Sequence, residues 1–321
     1  MVVEPTVSVI LPVWNGQRFL AEAIASVIGQ TFHSFELIVV DDGSTDRTRS
    51  IAHEFARKDP RVMVIGLAHA GVGRALNAGI HAAHGRYIAR MDADDVSLPS
   101  RLHTQVAFLD AHPECVAVGC DFEVTDEDGL PIGALRFPPR HREIAQSLID
   151  GTGRSMSAVV MRKEAVLAAG GYMDADLPAE DIDLWIRMRE IGTLASIPEP
   201  LYRYRRHRDT FSVRERKTQL TTLATIVDAA RARKGLSPLK RRSVPDGKNV
   251  AATYHNDCAR FALKAGMRHA TIRHARASIG SAPLQLEPYA VLAACALPTS
   301  AIQLAVKCYV RLQTIRSRPA S

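Results

Sequence analysis

The stretch FELIVVDDGSTD, residues 35–46, is an apolar run that ends abruptly in two adjacent aspartates. Its β-branched residues predict a strand over 35–40 that is buried in a parallel sheet. Small and polar turn residues follow over 43–46, and we predict a helix from there to about Ala56. Strand, acidic turn and helix in this order are typical of one half of a βαβ unit.

The same alternation extends to both sides of this stretch. We predict strands over residues 7–13, 62–66 and 87–90, and helices over 19–28 and 71–84. Strands that alternate with helices over about 100 residues predict an α/β fold with a mainly parallel sheet. Such sheets bind ligands beyond the carboxyl ends of their strands. Asp41 and Asp42 follow one predicted strand and 92–95 follow another, so we expect both acidic clusters on this edge.

The rest of the chain divides near residue 212. Before this point we predict strands over 116–124, 158–161 and 201–206, and helices over 163–169 and 181–191. After it the chain is rich in alanine and predicted to be helical. We therefore predict two parts, an α/β domain over 1–212 and a basic helical region over 213–321.

The cluster MDADD, residues 91–95, suits a hard cation. Its three carboxylates lie within four residues and repel one another unless a positive charge lies among them. Mg²⁺ and Mn²⁺ prefer oxygen ligands and commonly share carboxylates with substrate phosphates. A solvated acidic turn is the alternative interpretation.

Two other acidic pairs have both a binding and a structural interpretation. Asp41 and Asp42 can accept hydrogen bonds from a nucleobase or from ribose hydroxyls, although Ser44 or Thr45 at this place would also suit a helix cap. Glu180 and Asp181 lie at a predicted helix start, where the helix dipole alone favours negative charge.

The charge of the chain is divided between its two parts. Residues 213–321 hold 19 basic and 5 acidic residues, a net charge of +14, whereas the first 212 residues carry −7. Such a tail favours contact with anionic lipid or an acidic partner. It lacks the interleaved aromatic residues of a single-strand nucleic-acid binder, so we expect no nucleic-acid partner.

Three further features concern the location of the chain. Residues 1–16 have no basic n-region or cleavage site, which favours a strand over a signal peptide. The uncharged stretch 288–306 contains Pro298 and polar residues, so we expect two packed helices rather than a membrane span. Five scattered cysteines favour buried free thiols over disulfides or a zinc site. We expect a cytoplasmic protein with peripheral contact at the inner face of the membrane.

Six stretches in this order resemble the family 2 inverting glycosyltransferases of the GT-A fold. They are VSVILPVWNG (7–16), the segment 30–46, GVGRALNAGI (71–80), YIARMDADD (87–95), LPSRL (98–102) and EDIDLWIRM (180–188). The resemblance covers about residues 5–212. It implies a GT-A nucleotide-diphospho-sugar transferase fold, a mainly parallel mixed sheet flanked by helices, here with a C-terminal helical extension.

The resemblance also implies roles for individual residues. The positions that match nucleotide-sugar-binding residues are Pro12, Asn15, Asp41, Asp42, Arg74, Asn77, Asp92 and Asp94. The positions that match ligands of a divalent metal, Mn²⁺ or Mg²⁺, are Asp94, Asp95 and His207. Asp181 matches the catalytic base, with Glu180 in support.

The implied reaction is one displacement at the anomeric carbon of a nucleotide sugar, for which UDP is the expected nucleotide. A glycan or a lipid-linked molecule is the expected acceptor. The Gln-x-x-Arg-Trp motif of processive members is absent, and residues 201–207 read LYRYRRH, so transfer of one or a few sugars is expected. Two alternatives remain open: a sugar nucleotidyltransferase, or a scaffold that keeps the fold and binds a partner through its basic tail.

Overall fold

The computed structural model describes residues 4–152, 158–173, 179–210, 216–239 and 249–297. The chain forms two compact units, each built from three separate stretches. The first consists of Met1–Glu123, Leu135–Tyr204 and Lys217–Ser243, and the second of Val124–Ala134, Arg205–Arg216 and Val244–Ser321.

A single mixed sheet organises the first unit. The strands of the described residues are β1 (Val7–Val13), β2 (Phe35–Asp41), β3 (Val62–Gly66), β4 (Tyr87–Arg90), β5 (Val96–Ser97), β6 (Cys115–Thr125), β7 (Pro131–Leu135), β8 (Val160–Arg162) and β9 (Thr193–Arg205). Their order is β3-β2-β1-β4-β8-β6-β9-β5, with β7 paired to β6. Strands β1 to β4 pair in parallel, whereas β8 pairs antiparallel with both β4 and β6. The carboxyl ends of β1, β2 and β4 therefore meet at one edge.

Helices flank this sheet. They are α1 (Leu20–Ile28), α2 (Thr48–Lys58), α3 (Val72–Ala82), α4 (Arg101–Ala111), α5 (His141–Ile149), α6 (Lys163–Ala168), α7 (Glu180–Met188) and α8 (Arg216–Ala232). Helix α3 lies directly on β1, because a Cβ atom at Gly79 would come within 2.4 Å of the Ile10 Cγ2 atom. Only glycine permits this approach, and every residue of β1 is buried beneath it.

The predicted strands and helices of residues 7–90 are confirmed within two residues at most ends. Several elements further along were not predicted: β5, β7, α4 and α5. The predicted last strand over 201–206 is too short, since β9 begins at Thr193. The helix predicted over 181–191 begins one residue earlier and ends at Met188, where the chain turns toward Gly192.

The second unit contains three helices among its described residues: α9 (Val250–Lys264), α10 (Arg268–Ser281) and α11 (Glu287–Ala294). Buried Asp126 accepts hydrogen bonds from the backbone of the turn 128–130 and contacts His274 Nε2 at 3.1 Å. The hydroxyl of Tyr254 donates to the Arg206 carbonyl at 3.1 Å. These contacts tie the helices to the short segments near residues 126 and 206.

The structure bears on the location and cysteine predictions only in part. No helix of the described residues is both long enough and apolar enough to cross a bilayer. In the uncharged stretch 288–306, α11 ends at Ala294, and residues 298–306 lie outside the described residues. The predicted free thiols are confirmed at Cys115, Cys120, Cys258 and Cys295, which are all buried.

Candidate active site

Two aspartates lie at the carboxyl edge of the sheet, Asp41 as the last residue of β2 and Asp42 directly after it. Asp41 is completely buried, and its carboxylate accepts from the Ser44 amide at 3.0 Å and from Arg49 Nε at 2.8 Å. Asp42 is also buried, and its two carboxylate oxygens accept from the Ala70 amide at 2.7 Å and the Gly71 amide at 2.9 Å. Asp42 thus holds the turn that begins α3, and its predicted contact with a nucleotide would be an additional role.

The turn after β1 is fastened to the turn after β2. Asn15 has a positive φ of 51°, a conformation that asparagine tolerates better than most residues. Its side-chain oxygen accepts from the Thr45 amide at 2.9 Å, and its own amide donates to the Ser44 hydroxyl at 2.9 Å. Pro12 lies inside β1, beyond the last residue that pairs with β4, so its missing N–H costs no ladder bond on that side.

An aromatic surface that the sequence analysis did not identify lies beside Asp42. The ring of Trp14 is 52% exposed and stacks on His69, with ring centroids 4.6 Å apart. His69 Nδ1 is also 3.1 Å from an Asp42 carboxylate oxygen. An exposed, flat surface next to a carboxylate is suited to a planar ring that carries N–H donors.

One buried arginine joins the other two acidic clusters. Arg90 is the last residue of β4, and its side chain is 9% exposed. Its Nε donates to Asp92 Oδ1 at 3.0 Å, and its Nη1 donates to Glu180 Oε1 at 3.1 Å. The structure therefore brings Asp92 and Glu180 to one guanidinium group.

The electrostatics of this cluster are those of buried charges. Burial raises the pKa of Asp92 and of Glu180, while the neighbouring Arg90 acts to lower both values. The carboxylate of Asp94 further raises the pKa of Asp92. Burial alone would lower the pKa of Arg90, but the surrounding carboxylates, Asp92 foremost, raise it well above its ordinary value. Arg90 is therefore charged at any physiological pH.

A second buried arginine supports the loop after β4. Arg101 is fully buried at the start of α4, and its Nη2 donates to the Arg90 carbonyl at 2.6 Å. Its guanidinium lies 5.0 Å from the centre of the Tyr202 ring. The Tyr202 hydroxyl in turn accepts from the Asp92 amide at 3.1 Å. Strand β9 supplies Tyr202 through its pairing with β5, which fixes the backbone of the Asp92 loop.

Asp181 is buried in the first turn of α7. One of its oxygens accepts from the Ile182 amide at 2.8 Å, as expected for a carboxylate at a helix N-terminus. The residue before the helix, Ala179, has a φ of 91°, a backbone conformation that is strained for residues other than glycine and asparagine. Strain at this point is consistent with a functional need to place α7.

The remaining predicted residues occupy different surroundings. The Asn77 side chain donates to the Tyr172 carbonyl at 2.7 Å and accepts from the Tyr172 amide at 2.9 Å, so it holds the segment that precedes α7. Arg74 lies in the first turn of α3. His207 is buried in the second compact unit. The roles assigned to all these residues stay predictions.

The chemistry of the carboxylate cluster fits a divalent cation that shares its ligands with a substrate. Among the described residues no three or more His, Cys, Asp or Glu side chains come together as a complete metal site. Asp92 and Asp94, however, are close enough for one charge to raise the pKa of the other, and both offer oxygen ligands. Mg²⁺ is often bound by one or two carboxylates with phosphate oxygens completing its shell.

Sequence reasoning missed Arg90, Arg101 and Tyr202 as parts of this site. A signal for Arg90 was present, since a basic residue in an otherwise apolar strand needs a partner when buried. No signal pointed to Tyr202, whose role depends on the pairing of β9 with β5 across more than 100 residues.

Comparisons with known proteins identify the family. The sequence model of Glycosyl transferase family 2 matches residues 8–167. The putative glycosyltransferase EpsE of Bacillus subtilis is 36% identical over 234 residues, which cover 71% of this chain and 82% of EpsE. The amylovoran biosynthesis glycosyltransferase AmsE of Erwinia amylovora is 31% identical, with 64% of this chain and 79% of AmsE covered. For an uncharacterized glycosyltransferase of Haemophilus influenzae that is 32% identical, the match spans 66% of the relative and 63% of this chain.

Solved structures share the fold at low identity. S. aureus TarS 1–349 superimposes with a TM-score of 0.56 at 16% identity, covering 94% of this chain and 91% of TarS 1–349. TarS 1–349 has also been solved in complex with UDP-GlcNAc. The mannosyltransferase PcManGT of Pyrobaculum calidifontis, in complex with GDP-Man and Mn²⁺, gives a TM-score of 0.51 at 20% identity and covers 97% of this chain and 81% of PcManGT. The chain therefore belongs to glycosyl transferase family 2 and is a glycosyltransferase with the GT-A type of fold.

Proposed function

We propose that the chain transfers a single sugar from a nucleoside diphosphate sugar to an acceptor hydroxyl, with inversion at the anomeric carbon. One observation carries the proposal: the guanidinium group of Arg90 binds both Asp92 and Glu180. Asp92 lies at the carboxyl edge of the sheet, and Glu180 directly precedes the buried Asp181. This arrangement would hold Asp92, as a donor-binding carboxylate, close to Asp181, as the base. Inversion requires only one displacement and no covalent sugar on the enzyme.

The nucleotide would bind across the carboxyl ends of β1 and β2. Buried Asp42 and the exposed face of Trp14 are suited to a base, and the backbone amides of the first turn of α3, together with Arg74, would bind phosphate. UDP is the nucleotide we favour, since TarS 1–349 has been solved with UDP-GlcNAc. A neighbour solved with GDP-Man makes guanosine the comparison to test.

Asp94 and Asp95 would hold a divalent metal together with the diphosphate. The metal, when bound, would offset the negative charge that develops on the departing diphosphate. The Asp92 backbone, held by Tyr202, keeps these carboxylates at the sheet edge while the donor is bound.

Asp181 would act as the general base. It removes the proton of the acceptor hydroxyl as the acceptor oxygen bonds to the anomeric carbon. The bond from that carbon to the diphosphate oxygen breaks, and its electron pair leaves with the nucleoside diphosphate. Because AmsE is named for amylovoran biosynthesis, we propose a growing cell-surface glycan as the acceptor.

Binding of the nucleotide can be tested by thermal unfolding. We expect one of UDP, GDP or dTDP sugars, with Mn²⁺, to raise the melting temperature by about 5–10 °C at saturating concentration. EDTA and the variant Asp94→Ala should each abolish the rise, because both remove the bridge to the diphosphate. Asp110→Ala serves as the control, since Asp110 pairs with Arg86 and Tyr87 at the amino end of β4.

Two outcomes would contradict the proposed donor site. Either no nucleotide sugar stabilises the folded wild-type protein, or Asp94→Ala keeps the metal-dependent rise. The first outcome would favour a member of the family that binds a partner without using a nucleotide sugar.

We also propose that the basic helical region contacts an anionic membrane, where a lipid-linked acceptor would be available. The loop between α10 and α11 exposes Leu284 by 94% and Leu286 by 82%. Burial of such leucines in a membrane interface is favourable, and the net charge of +14 over 213–321 would attract anionic lipid.

Flotation of the full chain with vesicles tests this contact. We expect binding to mixed phosphatidylglycerol and phosphatidylcholine vesicles at low salt, and weak binding to phosphatidylcholine alone. The double variant Leu284→Asp/Leu286→Asp should weaken binding at least about tenfold, since interfacial burial of even one leucine is worth that much. Leu167→Asp, at an exposed leucine of α6 outside the basic helical region, is the matched control. If the full chain floats with neither type of vesicle, the membrane proposal is refuted.

A further inference from the structure

Arg90 is a buried charged residue in a strand whose residues are all buried. It ends β4, which pairs with β1 on one side and with β8 on the other. Its carbonyl accepts from Arg101, and its amide donates to the Val159 carbonyl at 3.0 Å. The backbone of Arg90 is thus fixed from two directions, and this fixes the origin of its side chain.

The guanidinium group of Arg90 contacts two elements that are far apart in sequence. Its Nε reaches Asp92 at 3.0 Å, two residues further along the chain in the loop after β4. Its Nη1 reaches Glu180 at 3.1 Å, the first residue of α7. The planar fork of arginine can direct separate N–H groups at two carboxylates, whereas the ammonium of lysine is a single point charge.

The residue after Glu180 is Asp181, the base of the proposed function. Glu180 and Asp181 share the first turn of α7, so whatever holds Glu180 also holds the position of Asp181. Asp92, at the other end of the fork, lies in the loop that carries Asp94 and Asp95. The Arg90 side chain is therefore a direct connection between the donor-binding loop and the helix of the base.

We infer that Arg90 is a positioning residue that sets the distance between the donor-binding aspartates and Asp181 by holding Asp92 and Glu180 in one guanidinium fork. The inference rests on the proposed function and adds to it the residue that aligns its two halves. Small misplacements of reacting groups cost about 10²-fold in rate, so the alignment is a requirement for transfer.

Arg90→Lys keeps the charge but removes the fork. The assay uses the nucleotide sugar that raises the melting temperature of the wild-type protein. We expect Arg90→Lys to lower kcat for the release of nucleoside diphosphate from this donor by about 10–100-fold. Affinity for UDP with Mn²⁺ should stay within about threefold, because the donor ligands remain. In a Glu180→Gln background the same substitution should cost less than about threefold, since one arm of the fork is already weakened.

Arg187→Lys is the matched control. Arg187 also binds a carboxylate of α7, that of Asp183, at 2.7 Å, and it donates in addition to the Ala169 carbonyl, which lies outside the donor-binding loop. Its kcat should stay within about threefold of wild type.

In the absence of ligand, amide hydrogen exchange over residues 180–188 should be about tenfold faster in Arg90→Lys than in wild type, because a buried charged hydrogen bond has been lost.

Several results would overturn the inference. They are a kcat of Arg90→Lys close to wild type, an equal penalty in the wild-type and Glu180→Gln backgrounds, or a loss of UDP binding that matches the loss of kcat. Failure of the proposed function would show itself separately, as a wild-type enzyme that releases no nucleotide from any sugar donor. Unchanged exchange over 180–188 would then still refute the connection between Arg90 and α7.

Discussion

Asp181→Asn is expected to lower the rate of sugar transfer by about 10²–10⁴-fold while leaving nucleotide binding intact. Asparagine has nearly the same shape as aspartate and can still accept the hydrogen bond from the Ile182 amide. It cannot accept the proton of the acceptor hydroxyl, so the acceptor oxygen would have to attack the anomeric carbon while still protonated. The loss should therefore appear in kcat.

The measurement pairs initial rates of transfer with the melting temperature in the presence of nucleotide sugar and Mn²⁺. Asp183→Asn is the matched control, because Asp183 lies in the same turn of α7 but pairs with Arg187. We expect it to retain most of the activity. If Asp181→Asn transferred sugar as fast as wild type, another group would have to be the base.

Arg101→Ala is expected to lower the free energy of unfolding by about 3–5 kcal/mol. Arg101 is fully buried, and its guanidinium donates to Gln105 at 3.0 Å and to the Arg90 carbonyl at 2.6 Å. Burial lowers the pKa of Arg101, although nearby ionisable groups, Tyr202 foremost, act in the opposite direction. Truncation would leave a cavity, and both acceptors would lose their donor inside the protein.

Urea unfolding followed by circular dichroism would measure this loss. Arg57→Ala, at an exposed arginine in the last turn of α2, should change the free energy of unfolding by less than about 0.5 kcal/mol. A comparably small change for Arg101→Ala would show that water or a neighbouring side chain replaces the guanidinium. The result would also give a structural reason for the Arg in the LPSRL stretch.

The first half of the sheet could be predicted because its strands are apolar on both faces. Strands such as Val7–Val13 are buried throughout, and the helices between them have a regular apolar stripe. Parallel pairing follows from the alternation with helices, without knowledge of any long-range contact. The position of the acidic clusters at the carboxyl edge follows from the same topology.

The part of the sheet after residue 95 was harder to predict for physical reasons. Helix α4 buries Arg101 and Gln105 beside its apolar residues, so its buried face does not have an apolar pattern. The polar side chains are satisfied by Arg90 and by the carbonyls of Val118 and Ala158, which no local pattern reveals. Helix α5 and strand β7 lie between the strands predicted over 116–124 and 158–161, in a stretch for which we made no prediction of structure.

The connections within the site were not visible in the sequence. Arg90 and Glu180 are 90 residues apart, and they meet through the packing of α7 near the end of β4. Asp42 was predicted to face a nucleotide, and the structure adds that its oxygens already bind the amides of Ala70 and Gly71. Composition and spacing indicate which residue types form a site. They do not indicate which backbone groups already form hydrogen bonds with those side chains.

The strand order has a consequence for synthesis on the ribosome. Strands β1 to β4 come from the first 90 residues and can pair as soon as they emerge, but the neighbour of β4 on its other side is β8, which begins at Val160. Until that strand is made, the buried edge of β4 offers unpaired amides and carbonyls to any other nascent chain. Fragments that end before Arg162 should therefore aggregate. A nascent chain that is translated slowly between β4 and β8 should require a chaperone to stay soluble.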